Sequence, residues 1–158
     1  MSTDTPQLQA GDPAPDFSGT DQNGNTVRLS DFRGQKLILY FYPKDDTPGC
    51  TKEACNLRDN HERLQSQGYK ILGVSVDDEA SHQKFIEKYD LNFPLLADTD
   101  QSIVNAYGVW GERNMYGKKF MGTKRTTFVI DEEGKIEHIF KKVKTEEHAD
   151  QILEKAGS

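Results

Sequence analysis

The chain has 158 residues, enough for one domain with a substantial core. Its 26 acidic and 20 basic side chains give a formal net charge of -6, which argues against nucleic acid or an anionic membrane as partner. No apolar run approaches the roughly 20 residues of a membrane span.

Residues 1–9 are polar, with neither the basic nor the apolar region of a secretory signal. They are expected to be disordered, and the compartment is expected to be the cytoplasm. Residues 11–17 form a proline-stiffened lead-in. Asp21-Gln22-Asn23-Gly24-Asn25 contains an Asn-Gly turn signal, and the alternation over Thr26 to Leu29 predicts a hairpin. Lys36 to Tyr42 is almost continuously apolar, as in a strand buried on both faces. The chain then breaks at Pro43. Thr47 suits a helix N-cap and Pro48 the first helical position. The helix is expected to run to Gln67, with Gly68 beyond it, and Cys50, Ala54, Leu57, His61 and Leu64 share one face.

Tyr69 to Val76 predicts a second buried strand. Asp77 or Ser81 can cap a helix through Tyr89, with Phe85, Ile86 and Tyr89 inward. Phe93 to Ala97 reads as a short strand. Asp98 or Thr99 can cap a helix carrying Ile103, Val104 and Tyr107. Gly108 to Lys124 reads as a long irregular loop, and such loops in small domains are more often functional than idle. Arg125 to Ile130 and Ile136 to Phe140 predict a hairpin, and Thr145 can cap a last helix with Ile152 and Leu153 inward. Strands alternating with helices, closed by a hairpin and a helix, define a single α/β domain over residues 1–158. The order suits a thioredoxin-like fold: a mixed central sheet flanked by helices, with an N-terminal β-hairpin extension.

In a reducing compartment two cysteines point to catalysis, redox chemistry or metal rather than to a structural staple. Cys50 falls in the first helical turn, where unpaired N–H groups and the positive end of the helix dipole favour a thiolate. Three readings compete. Both cysteines can be small core residues. Cys50, Cys55 and His61 can be considered as metal ligands, but five residues turn a helix by about 500°, leaving the cysteines about 140° apart. Finally, they can be a redox pair. Their Cα atoms would then lie about 8.6 Å apart in an intact helix, beyond the roughly 7 Å that a disulfide tolerates. Bonding would require the first turn to unwind.

Pro43-x-x-x-Thr47-x-x-Cys50 resembles the active-site motif of the peroxiredoxins, and Cys55 five residues on is similar to the peroxiredoxin Q, or bacterioferritin comigratory protein, subfamily. The segment Gly122 to Asp131 resembles the one that supplies the family's active-site arginine. The resemblance implies a thioredoxin-like fold and reduction of hydrogen peroxide and organic hydroperoxides, with electrons from thioredoxin or a similar dithiol. It implies Cys50 as the peroxidatic cysteine, Cys55 as the resolving one through an intramolecular disulfide, and Pro43, Thr47 and Arg125 as the supporting shell. No cofactor or metal is expected. An intramolecular pair does not require a second subunit, so a monomer is expected.

Other features read more plainly. Asp45 and Asp46 are expected to face solvent. Lys44, Lys52 and Arg58 can add weak cationic compensation, and His61 reads as a packing residue. Trp110 and Met115 are candidate contacts for a reductant or a hydroperoxide tail, with ordinary packing against the sheet as the alternative reading. The alternatives to a peroxidase are a general thiol–disulfide oxidoreductase and a non-enzymatic thioredoxin-like redox sensor.

Overall fold

In the computed structural model, which describes residues 8–115 and 117–156, the apolar run after Gln35 becomes an interior strand of a mixed sheet. In chain order the elements are β1 (Ser18–Asp21), β2 (Thr26–Arg28), a 3-10 turn (Leu29–Phe32), β3 (Lys36–Phe41), α1 (Pro48–Asp59), α2 (His61–Ser66), β4 (Tyr69–Ser75) and α3 (Glu79–Tyr89). They continue with β5 (Leu95–Ala97), α4 (Ser102–Ala106), β6 (Trp110–Met115), β7 (Lys118–Thr123), β8 (Thr126–Ile130), β9 (Ile136–Phe140) and α5 (His148–Ala156). The main sheet has the order β2-β1-β5-β4-β3-β8-β9. Strands β3, β4 and β5 run parallel, and the others pair antiparallel. The fold is thioredoxin-like, and the N-terminal hairpin extends one edge of the sheet.

The sheet is covered on both faces, which is why β3 shows no alternation. Leu37, Leu39 and Phe41 pack with Phe128, Ile103, Val104 and Tyr107 on one face. Ile38 and Tyr40 pack with Cys50, Ala54 and Leu57 of α1, Phe85 of α3 and Ile152 of α5 on the other. A fully buried leucine such as Leu57 contributes on the order of 2 kcal/mol. This packing presses the cysteine-bearing side of α1 onto the sheet.

Several boundaries differ from the sequence reading. The predicted helix to Gln67 is broken at Asn60, at φ −107° and ψ 11°. The Asn60 side chain and backbone amide both turn back to the Asn56 carbonyl, at 2.8 and 3.2 Å. That local competition ends the ladder despite the apolar stripe. Asp78, not Asp77 or Ser81, caps α3, accepting from the Ser81 amide at 2.9 Å. Asp98 does serve the start of α4, accepting from the Ile103 and Val104 amides at 3.1 and 2.8 Å. Thr145 does not cap α5, which begins at His148. Asn56 does so from across the interface, its Oδ1 accepting from the Ala149 amide at 2.8 Å and its Nδ2 donating to the Glu146 carbonyl at 2.9 Å.

The largest correction is the supposed irregular loop. Residues Trp110–Met115 and Lys118–Thr123 form a separate two-stranded hairpin, with Gly117 at φ 80° in its turn. Most of β7 is exposed, so there is no apolar alternation to read. The disorder expected for residues 1–9 lies, for 1–7, outside the described residues, as does Tyr116.

Candidate active site

Thr47 has the extended backbone of an N-cap, at φ −100° and ψ 156°, and Pro48 and Gly49 follow as the first helical residues. Cys50 therefore lies in the first turn, as expected. The Thr51 amide already reaches the Thr47 carbonyl at 2.8 Å, whereas the Gly49 and Cys50 amides precede the helical ladder. The Thr47 hydroxyl makes no side-chain cap. It donates to the Lys44 carbonyl at 2.8 Å, which ties the loop into a turn and leaves the oxygen lone pairs free to accept.

The Cys50 side chain is buried against the sheet, with 1% of the residue exposed. Arg125, immediately before β8, reaches it from the sheet side. One arm of the guanidinium, Nη2, lies 3.2 Å from Cys50 Sγ, and the other, Nη1, lies 2.7 Å from Glu53 Oε1. The guanidinium also lies over Gly49, where a Cβ would come within 3.0 Å of Nη2, so the small residue keeps the space that the arginine occupies. Pro43 is half-buried in the loop and lines the same cleft as Thr47, Gly49 and Arg125. Cys55 is half-buried on the unbroken helix α1, and both cysteines are free thiols. The structure thus gathers Cys50, Thr47, Pro43 and Arg125, and leaves Cys55 about 8.6 Å away between Cα atoms by helix geometry.

Glu53 escaped the sequence reading. It is fully buried, and burial pushes its carboxyl up to about 7 against the downward pull of Arg125. Its Oε2 has no hydrogen-bond partner and lies 3.7 Å from His148 Nε2. His148 is itself buried. Its Nδ1 meets Gln151 Oε1 at 3.0 Å and its Nε2 meets the Thr127 hydroxyl at 2.8 Å. The Gln151 amide is oriented by the Lys144 amide and the Lys142 carbonyl, so Nδ1 is the donor and Nε2 the acceptor. Burial pushes His148 down to about 4, so the ring is neutral near pH 7. The one signal of Glu53 in the sequence was its position, three residues after Cys50 and four before Leu57 on the apolar stripe.

Asp45 also corrects the sequence reading. It is buried rather than solvent-facing and accepts from the Tyr42 hydroxyl at 2.6 Å. Asp46 is exposed, in the left-handed region at φ 57°, and pairs with Lys88 and the Tyr89 hydroxyl. Lys52 pairs with Glu146, and Arg58 with Asp59 and the Tyr89 carbonyl. Half-buried His61 fits its packing role. Among the described residues no cluster of His, Cys, Asp or Glu could hold a metal ion.

Beside Arg125 opens a cleft of about 440 Å³. Its apolar walls are Pro43, Pro48, Val76, Trp110, Phe120 and Met121, with Phe120 and Met121 the exposed large hydrophobics among the described residues. Trp110 lines this cleft and also packs against the core. Thr123 also lines the cleft, with a buried hydroxyl that has no hydrogen-bond partner.

A thiol held at a helix start under a guanidinium, on this sheet, is the arrangement of a thiol peroxidase, and the chain belongs to the AhpC/TSA family, whose sequence pattern matches residues 10–139. Within that family it is a peroxiredoxin. Peroxiredoxin Bcp of Escherichia coli strain K12 is 49% identical over 146 residues, 92% of this chain and 94% of that protein. Peroxiredoxin Bcp of Bacillus subtilis is 44% identical over 147 residues, 93% and 94% of the two chains. Among solved structures, a mutant of Xylella fastidiosa PrxQ superposes with a TM-score of 0.89 at 31% identity, covering 96% of this chain and 97% of that one. The bacterioferritin comigratory protein of Xanthomonas campestris, described for its alkyl peroxide reduction activity, gives 0.86 at 37% identity over 94% and 98%.

Proposed function

We propose that Cys50 is the peroxidatic cysteine, Cys55 the resolving one, and thioredoxin or a similar dithiol the reductant. The observation that carries this reading is the Arg125 fork, with one arm on Cys50 Sγ at 3.2 Å and the other fixed by buried Glu53 at 2.7 Å. A guanidinium anchored in this way stays aimed at the sulfur.

The Cys50 thiolate attacks the terminal oxygen of a hydroperoxide. The S–O bond forms and the O–O bond breaks. Cys50 becomes a sulfenic acid, and the departing alkoxide or hydroxide takes a proton from water. Arg125 and the first-turn amides stabilise charge as it moves onto the departing oxygen. The Thr47 oxygen accepts from the peroxide O–H. Pro43 shields the thiolate and offers no competing N–H. Cys55 then condenses with the sulfenic acid, releasing water and forming an intramolecular disulfide, which the external dithiol reduces. The cleft walls suit the alkyl tail of an organic hydroperoxide. Both cysteines lie on one helix, five residues apart, so resolution needs no second subunit, and the reading is of a monomeric single-domain enzyme of the cytoplasm.

Cys50→Ser tests the assignment. The hydroxyl is of similar size and a far weaker nucleophile, so the variant is expected to fold and to lose peroxide turnover with thioredoxin. Substantial residual turnover would remove Cys50 from the mechanism. Peroxide consumption by the wild-type protein plus thioredoxin also separates this reading from that of a general thiol–disulfide oxidoreductase.

A further inference from the structure

A second buried charged group lies on the α3 side of the loop that carries Thr47, and the reaction as written does not use it. His82 of α3 is fully buried. Its Nε2 meets the Leu96 carbonyl at 2.7 Å, and its Nδ1 meets Asp45 Oδ2 at 2.7 Å. A carbonyl only accepts, so Nε2 carries a hydrogen. A neutral ring would then turn a bare Nδ1 lone pair towards the Asp45 carboxylate. The short contact instead needs a proton between them. The Tyr42 and Ser81 hydroxyls also donate to this carboxylate, at 2.6 and 2.7 Å, which favours leaving that proton on the ring. The charged groups facing His82 are Asp45 from the loop after β3 and Asp77 from the loop before α3. Asp77 also accepts from the Asp45 amide at 2.8 Å. Burial alone would strip the ring of its proton, but the hydrogen bond and charge of Asp45, the Leu96 carbonyl and Asp77 outweigh it and hold His82 above its ordinary value.

The position of this pair gives it a consequence. Asp45 lies two residues before Thr47 and five before Cys50. The second attachment of the loop to α3, through Asp46, is exposed and correspondingly weak. The buried pair is the main bolt between the loop and α3.

We propose that His82 is a positioning residue whose imidazolium, clamped between Asp45 and the Leu96 carbonyl, holds the Pro43–Thr47 loop in its peroxide-reactive form. Removing one proton from the pair releases the loop. The inference rests on Cys50 as the nucleophile. Cys50 ionisation raises the rate of oxidation with pH, whereas loss of the clamp lowers it again at higher pH, giving a bell whose alkaline limb belongs to His82.

Asp45→Asn is the informative variant. The amide can accept from Tyr42, donate to Ser81 and donate to the Nδ1 of a neutral ring, so every hydrogen bond survives without the proton. Peroxide oxidation of Cys50 is measured by stopped flow across pH in both proteins, with long-range ¹H–¹⁵N spectra of the His82 ring. Two protonated ring nitrogens are expected in the reduced wild type near neutral pH, and one bare nitrogen in Asp45→Asn. The variant should keep the neutral-pH rate and lose the alkaline limb. A bare nitrogen in the wild type overturns the proposal, as does an alkaline limb that the variant retains. The spectra of the wild type decide the protonation state even if the variant fails to fold. Activity retained in Cys50→Ser would refute the nucleophile assignment separately.

Discussion

Replacing Arg125 by alanine separates two ways in which a cation can help a thiolate. The guanidinium lies 3.2 Å from Cys50 Sγ and 2.7 Å from Glu53 Oε1. Its removal takes a donor from the sulfur and also leaves Glu53 buried without its cation. Burial, already enough to bring Glu53 to about 7, then acts unopposed, and its carboxyl stays protonated through neutral pH. The sulfur thus loses a cation and a neighbouring anion together, which limits the effect on ionisation. The ceiling on that effect is low in any case. An ordinary thiol is roughly 3% ionised at pH 7, so ionisation alone accounts for at most about 30-fold. Removal of a preorganised transition-state donor costs about 10²- to 10³-fold. The expected loss in the second-order rate constant with peroxide is therefore well beyond about 30-fold, on the order of 10³-fold. Stopped-flow fluorescence of Trp110, the one tryptophan, which borders the cleft, gives the rate constants. Each is divided by the thiolate fraction from ultraviolet titration of the same variant. If the corrected constants of wild type and Arg125→Ala agree, Arg125 acts on ionisation only and its transition-state role is wrong. Arg125→Lys is expected to fall between them, since an ammonium lacks the planar fork that serves both partners.

Cys55→Ser is expected to allow one oxidation per site, to block recycling through the disulfide and to make Cys50 more prone to sulfinic acid; mass spectrometry after graded peroxide checks this. In the wild type, disulfide formation is expected to speed amide exchange over residues 49–57, and equal protection in both redox states would mean that α1 closes the bond without unwinding. Glu53 binds its proton more tightly in the fold, at about 7 against 4.5, so its contribution to stability is present at low pH and is lost as pH rises between those values. His148 has the opposite slope, at about 4 against 6.5, its penalty appearing as pH falls through that window. In Glu53→Gln the first slope disappears, so the unfolding free energy should rise relative to wild type by about 1.4 kcal/mol per pH unit over the Glu53 window. Urea denaturation at several pH values measures the difference, and a flat difference means that Glu53 holds no extra proton. Phe120→Ser should lower kcat/KM for a long-chain alkyl hydroperoxide by about tenfold, the equivalent of roughly 55 Å² of lost apolar contact, and leave hydrogen peroxide unaffected. An equal loss for both substrates would move the tail elsewhere.

The sheet and the cysteine helix were legible because their signals are local. The continuous apolar run of β3, the Thr47-Pro48 start of α1 and the turn before β9 each announce themselves over a few residues. The missed features depend on distant partners. Asp45 and Asp46 are identical neighbours in sequence, yet one is buried against His82 and the other is paired at the surface, a division made by α3 residues 37 and 42 positions on. Glu53 is an ordinary helical glutamate until Arg125 is folded over Gly49. The β6–β7 hairpin stands away from the main sheet, so its strands lack the buried face that a pattern search detects. Asn60 ended a helix through a side-chain bond to Asn56 that no stripe of leucines reveals.

Asn56 has a mechanical consequence. It fixes α1 to the start of α5 by two hydrogen bonds, one residue past Cys55, while Asp45 fixes the chain to α3 five residues before Cys50. The two anchors hold the ends of the segment between them a fixed distance apart. Unwinding a single helical turn lengthens it by about 6 Å, from a rise of about 1.5 Å per residue to about 3.3 Å. Bringing the two Cα atoms within bonding range shortens their separation by about 2 Å, so it takes up none of that length. With both ends held and the sheet packed behind, the surplus chain has one direction left, outward into solvent. Each turnover is thus expected to raise a short arch of backbone around Thr51 and Lys52 and lay it down again on reduction, and a deletion between the anchors would remove the slack that makes the arch.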